Sequence, residues 1–274
     1  MTELSVALVQ TCTPADQAAA LAHAAPLIEE AARGGAQLIL LPECANMVEQ
    51  RAALKAGKLC SEGEDSFVAG VRQMARDLKV SILIGSVIVS AENSDKAANR
   101  SLLINSDGEI TARYDKIHLF DADTPDGRSY RESATMRPGE EAVVAETPWG
   151  GLGLSICYDV RFAYLYRTLA KAGADMIAVP AAFTVPTGQA HWEVMLRARA
   201  IETGAFVLAP AQGGHHEDGR TTYGHSLVAA PWGEVIARLD HDRPGVLFAT
   251  LDLEAVARAR QALPQLKHDR EFRA

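Results

Sequence analysis

The chain contains no apolar stretch approaching the ~20 residues that a membrane span requires. It also lacks any cluster of lysine and arginine. With a formal net charge of −8, that second absence argues against nucleic acid or an anionic membrane surface as partner and leaves a small molecule as the expected one. No basic region opens the chain at Met1-Thr2-Glu3-Leu4, and the first apolar run, residues 6–9, is too short for an export signal. A cytoplasmic location is therefore expected, in which the four cysteines (Cys12, Cys44, Cys60 and Cys157) stay reduced. Their irregular spacing matches no zinc pattern, so neither metal nor cofactor is expected. Linkers and low-complexity runs are missing too. Length alone would suggest two domains, but there is nowhere to cut, and residues 1–274 read as one domain with 48% hydrophobic content. The longest polar stretch, residues 91–100, is loop-sized.

What is present is an alternation of apolar runs, ended by Gly, Pro or Asn, with helical patterns, the signature of an α/β fold. Residues 4–9 read as a strand, 16–33 as a helix stopped by Gly34-Gly35, and 37–41 as a second strand. Phe67, Val71, Met74, Ala75 and Leu78 recur at helical spacing. Strands follow over residues 80–89, 101–104 and 109–114, the last two joined by an Asp107-Gly108 hairpin signal. The second half repeats this order. Residues 35–42 match residues 173–180, and Ser101-Leu102, Gly108-Glu109, Ala112-Arg113 and Asp115 recur as Ser226-Leu227, Gly233-Glu234, Ala237-Arg238 and Asp240 at one constant offset. Coincidence between two amphipathic hairpins is one explanation. The preferred one is a pseudo-symmetric pair of α/β halves whose sheets stack into a four-layer α-β-β-α sandwich. Glu43 follows Pro42, whereas the matching position holds Ala181, so a single active site is expected.

Three segments each set a reactive side chain beside an apolar run. Cys157 follows residues 152–156 and precedes a helical pattern over 162–172, where backbone N–H groups and a helix N-terminus would favour thiolate and oxyanion. Glu43 leaves a buried strand, where burial would raise its pKa towards neutrality and suit a group that accepts and returns a proton. Lys116 lies in the apolar setting Tyr114-Asp115-Lys116-Ile117-His118-Leu119-Phe120, although pairing with Asp115 or Asp121 would also explain it. A thiol, a base and a cation suffice for amide hydrolysis. Taken singly, a buried small cysteine and a surface glutamate are the blander readings of Cys157 and Glu43.

Together these segments resemble the nitrilase superfamily of carbon-nitrogen hydrolases. The likeness rests on Leu41-Pro42-Glu43, residues 114–121, residues 153–162, Pro180-Ala181-Ala182-Phe183-Thr184, Thr187-Gly188, residues 190–193, residues 197–202 and Leu263-Pro264, and so covers nearly the whole chain. Within the superfamily the chain is most similar to amidases that hydrolyse deaminated glutathione, with the omega-amidases of 2-oxo acid amides next. The resemblance implies the α-β-β-α sandwich, a homodimer or larger assembly, Cys157 as nucleophile forming a thioester, and Glu43 as general base and acid. Lys116 and the Tyr158 N–H would stabilise the oxyanion, and Glu132, otherwise an ordinary loop carboxylate, would position the lysine. Arg161, Phe183 and Thr187, the last in the loop after the strand ending at Pro180, would bind a carboxylate-bearing amide. An Arg161 ion pair with Asp159 or Glu202 is the alternative. The sequence departs from the superfamily pattern at Ala163-Tyr164 and at His268-Asp269-Arg270.

Other chemistries fit less well. Gly153-Leu154-Ser155-Ile156-Cys157 breaks the Gly-x-Ser-x-Gly elbow of serine hydrolases at its last position. A cysteine-histidine enzyme would need a partner from His118, His191 or His225. A metal hydrolase would need His215-His216, which are expected to be solvated and belong to no His-Glu-x-x-His pattern. A catalytically inactive binding module is the main non-enzyme alternative.

Overall fold

A computed structural model describes residues 2–91 and 94–272. Two six-stranded sheets form its centre. The first has the spatial order Gly245–Asp252, Glu3–Gln10, Leu38–Leu40, Ser81–Ser90, Ala97–Ile104 and Ile110–Asp115. The second runs Val144–Thr147, Gly150–Leu154, Ala174–Ala178, Phe206–Ala209, Leu227–Ala229 and Val235–Arg238.

Side chains one residue apart on a strand point to opposite faces, and that period sorts the core. Leu4, Val6, Leu8, Leu38 and Leu40 share one apolar cluster with Leu152, Leu154 and Met176 of the second sheet. The alternate residues Ala7, Val9, Ile39 and Leu41 pack instead with Ala20, Ala24 and Ile28 of helix Gln17–Arg33 and with Phe67, Val71 and Ala75 of helix Ser66–Leu78. Helices Ala163–Lys171 and Val185–Thr203 cover the second sheet through Leu165, Tyr166, Leu169, Trp192 and Leu196. The order is α-β-β-α, as expected. Each wholly buried leucine or isoleucine in these layers contributes about 1.5–3 kcal/mol.

The repeat extends to backbone detail. In the first sheet Leu103 pairs with Ala112 and Ile104 with Ile110, a register shift; in the second, Val228 pairs with Ala237 and Ala229 with Val235. The turns match as well: Gly108 N donates to Asn105 O at 2.9 Å and Gly233 N to Ala230 O at 2.8 Å, both glycines at positive φ. A shared bulge at one offset is not what coincidence between amphipathic hairpins produces.

The two halves also exchange strands. Val144–Thr147 follows the first half's hairpin yet pairs with Gly150–Leu154 of the second, while Gly245–Asp252 follows the second half's hairpin and pairs with Glu3–Gln10 of the first. Residues 97–100, read above as loop, are the start of strand Ala97–Ile104, and Glu92 and Asn93 of the same stretch lie outside the described residues.

Candidate active site

The site lies where the equivalent prolines of the two halves meet. Leu41 N donates to Leu83 O and Val179 N to Leu208 O, so each strand end is held to its neighbour before the chain turns away at Pro42 and Pro180. Gly85 passes between them: a Cβ there would sit 2.0 Å from Leu41 O and 2.4 Å from Pro180 Cβ, so only glycine allows the approach. Pro42 leads into Glu43, and Pro180 O accepts the Cys157 N–H at 2.9 Å.

Cys157 opens a short 3-10 turn, Cys157–Arg161, with φ +50°, a left-handed conformation that costs a non-glycine residue of order 1–3 kcal/mol. Asp159 holds this turn. Wholly buried, its carboxylate accepts from Ile156 N at 2.8 Å, Tyr114 Oη at 2.7 Å and His118 N at 3.0 Å, with His118 Nδ1 at 2.7 Å. One aspartate therefore ties the Cys157 turn to the segment that carries Lys116.

Lys116 Nζ donates to Glu43 Oε1 at 2.8 Å and to Glu132 Oε2 and Oε1 at 2.9 and 3.1 Å. Asn99 Nδ2 bridges the same two carboxylates at 3.0 and 3.2 Å, Phe120 N donates to Glu132 Oε2, and Ala182 N donates to Glu43 Oε2 at 2.9 Å. The Cys157 thiol lies beside Glu43 and the Ala182 N–H. Burial alone would raise the Glu43 carboxyl, but the Lys116 charge and hydrogen bonds from Lys116, Cys157 and Asn99 outweigh it, and the group sits below its ordinary value. For Lys116 burial opposes the charge, and the Glu132 and Glu43 carboxylates reverse that effect, raising it well above the ordinary lysine value. Burial, then the Glu43 charge, pushes the Cys157 thiol well up despite Lys116. The resting arrangement is thus a neutral thiol facing an ionised carboxylate and an ammonium, which can transfer a proton as the sulfur attacks.

A cavity of about 290 Å³ opens over these groups. Tyr158, Arg161, Phe183 and Thr187 all line it. The Arg161 guanidinium lies 5.7 Å from the Tyr158 ring centroid and 5.6 Å from that of Phe183, with His191 Nδ1 at 3.4 Å. It pairs with neither Asp159 nor Glu202: the first is bound as described, the second to Arg199 at 2.7 Å. Lys116 likewise ignores Asp115, which binds Arg100, and Asp121, which binds Ser133.

The family model "Carbon-nitrogen hydrolase" matches residues 5–261. The chain belongs to that family. A deaminated glutathione amidase of Yersinia enterocolitica is 41% identical to this hydrolase over 98% of its chain and 94% of the relative. Among solved structures, the C. elegans NitFhit protein superposes with a TM-score of 0.91 at 35% identity, over 98% of this chain and 66% of that one. An amidase from Nesterenkonia sp. AN1, in a form where acrylamide has added at the active site cysteine, does so with 0.78 at 27% identity over 96% and 98%.

Several expectations require correction in this hydrolase. Glu43 is lowered, not raised, because Lys116 stands against it. Cys157 gains no net thiolate stabilisation, since burial and then the adjacent Glu43 carboxylate disfavour a negative charge there and only the five-residue 3-10 turn starts at this position. Thr187 sits in the first turn of helix Val185–Thr203, which begins at the Val185-Pro186 pair, and its Oγ1 lies 2.8 Å from that of Thr184. His216 is buried, with Nε2 at 2.8 Å from Thr222 Oγ1 and Nδ1 at 3.2 Å from Thr13 O, and burial lowers its pKa to about 4. His118 faces Asp159, His191 faces Arg161, and His225 Nδ1 lies 2.6 Å from Tyr223 O. Three contributors had no assigned role: Asn99, Asp159 and the Ala182 N–H. Asn99 leaves one trace, a polar residue after Ala97-Ala98 in an apolar strand.

Proposed function

We propose that this carbon-nitrogen hydrolase cleaves the amide of deaminated glutathione, releasing a 2-oxo dicarboxylic acid and a dipeptide amine without a cofactor. Cys157 Sγ attacks the carbonyl carbon while Glu43 takes its proton. The oxyanion that forms faces Lys116 Nζ and the Tyr158 N–H. Glu43 returns the proton to the departing nitrogen, leaving a thioester; it then takes a proton from the water that attacks the thioester and gives it to the sulfur. Glu132 keeps Lys116 in place, and Arg161, with Phe183 and Thr187, binds the carboxylate of the acyl half. The observation that carries the reading is the Lys116 ammonium clamped between two carboxylates beside the thiol. The curated relatives support the substrate.

A coupled assay with deaminated glutathione and 2-oxoglutaramate tests it, with higher kcat/KM expected for the first. Arg161→Lys keeps the charge but loses the planar fork, and should weaken both 2-oxo acids by about tenfold or more while sparing a neutral amide of similar size. Equal losses on the neutral amide would show that Arg161 does not read the carboxylate.

The pKa directions set a pH profile. The base is ionised until pH falls through the depressed Glu43 value, below 4.5, and the thiol keeps its proton until pH passes the raised Cys157 value, above 9.0. For a substrate with no titrating group in that range, kcat/KM is expected to stay level between these limits. A limb near the histidine range, about pH 6.5, would point to a different base.

Exposed Tyr164 and Val194, on the two helices over the second sheet, support a homodimer joined through that face. A light-scattering mass of 29.4 kDa at micromolar concentration would overturn it. The exchanged edge strands support one folding domain, for which a single denaturant transition is the check. The free cysteines fit a reducing compartment such as the cytoplasm, testable by fractionation.

A further inference from the structure

Besides Arg161, the cavity is lined by Lys116, paired with Glu43 and Glu132, by Arg131, paired with Asp123 at 2.8 Å, and by two further cations: Lys55, from helix Ala52–Ala56, and Arg220, from the turn that precedes strand Thr221–Tyr223. Among the described residues neither forms an ion pair. Arg220 Nε is moreover buried without a hydrogen-bond partner, a state that costs the full desolvation of the group unless a ligand supplies the acceptor. The acids nearby are already committed. Glu49 takes Arg51 at 2.6 and 2.7 Å and Lys58 at 3.6 Å, and Asp218 accepts from Gln50 N at 3.0 Å and from the Arg220 backbone N–H at 2.9 Å. Lys55 is half-buried, and burial, with the Arg220 charge, lowers its pKa despite the opposing charges of Glu132 and Glu49. Both cations line the cavity, and neither has a carboxylate partner within ion-pair distance among the described residues.

Their position differs from that of Arg161. Arg161 leans on Tyr158 and Phe183, whereas Lys55 and Arg220 both lie within charge range of Cys44, the residue next to Glu43. Glu43 is the group that hands a proton to the departing nitrogen, so the wall beside it is the leaving-group side. We infer that Lys55 and Arg220 form a second anion subsite that receives the carboxylate of a peptide-like leaving amine. The inference rests on the amidase reading above and deepens it. Deaminated glutathione carries one carboxylate on its acyl half, for Arg161, and another at the end of its cysteinylglycine half. 2-Oxoglutaramate carries only the first and releases ammonia. The subsite would therefore separate these two substrate classes, a choice that the Glu43, Lys116 and Cys157 cluster cannot make.

Steady-state kinetics of Lys55→Gln, Arg220→Gln and the double variant test this with three substrates: deaminated glutathione, its glycine-end methyl ester and 2-oxoglutaramate. Each single change should raise KM for deaminated glutathione by about tenfold or more, as loss of a hydrogen bond to a charged group does, with little change in kcat. The ester and 2-oxoglutaramate should move by less than about twofold, which also shows that the variants fold. Parallel losses on all three substrates, or no loss on any, would overturn the subsite. A wild-type chain that turns over 2-oxoglutaramate and deaminated glutathione while the variants behave in parallel sinks this inference alone. A wild type that turns over neither sinks the amidase reading and this inference with it.

Discussion

Cys157→Ala is expected to reduce turnover by on the order of 10⁴-fold or more while leaving the melting temperature within a few degrees of the parent. The substitution removes one sulfur from a buried site and keeps the Pro180 O to Cys157 N hydrogen bond, which is a backbone contact. No other thiol is placed to substitute for it. Cys12 Sγ lies by His215 O and His216, and Cys60 Sγ is 3.9 Å from Asp65. Cys44 touches the cavity, but Glu43 acts on its thiol through charge alone, whereas the Cys157 thiol is hydrogen-bonded to Glu43, so Cys44→Ala is the matched control and should retain activity. Intact-mass analysis of rapidly quenched parent enzyme should show the acyl adduct, and the variant should show none. Substantial activity in Cys157→Ala would end the thioester mechanism.

Lys116→Ala should cost more than a lost oxyanion donor. Removing such a donor typically lowers kcat by about 10²- to 10³-fold. Here the same ammonium also keeps Glu43 ionised, and without it burial and the Glu132 charge both favour a proton on one of the two carboxyls. Once that proton sits on Glu43 the base is gone, so a kcat loss beyond 10³-fold is expected with a smaller change in KM. Breaking a buried pair also costs stability, about 3–5 kcal/mol. The folded variant would then hold a proton that its unfolded chain releases, so the deficit in urea melts should shrink as pH falls through the carboxylate range. A pure KM effect, or a deficit independent of pH, would contradict this account of Lys116.

Features set by neighbouring residues were readable before folding: the strand ends at Pro42 and Pro180, the Asp107-Gly108 turn, and a repeat that reaches down to the bulge. What escaped depends on partners distant in the chain. The direction of the Glu43 shift is decided by Lys116, 73 residues on, while burial, the one effect visible locally, points the other way. Asn99 and Arg100 look like loop because both are polar, yet their partners are Glu43 and Glu132 for one and Asp115 and Glu62 for the other. The Ala182 N–H has no side-chain signature at all. Thr187, expected in a loop after Pro180, lies in a first helical turn that contains Pro186, a place proline suits.

The strand exchange between the halves has a consequence for biosynthesis. Glu3–Gln10 leaves the ribosome some 240 residues before its antiparallel neighbour Gly245–Asp252, about 12–50 s at ordinary elongation rates. Throughout that interval the apolar run Val6-Ala7-Leu8-Val9 presents an open sheet edge, the kind of template on which nascent chains of the same polysome can pair with one another.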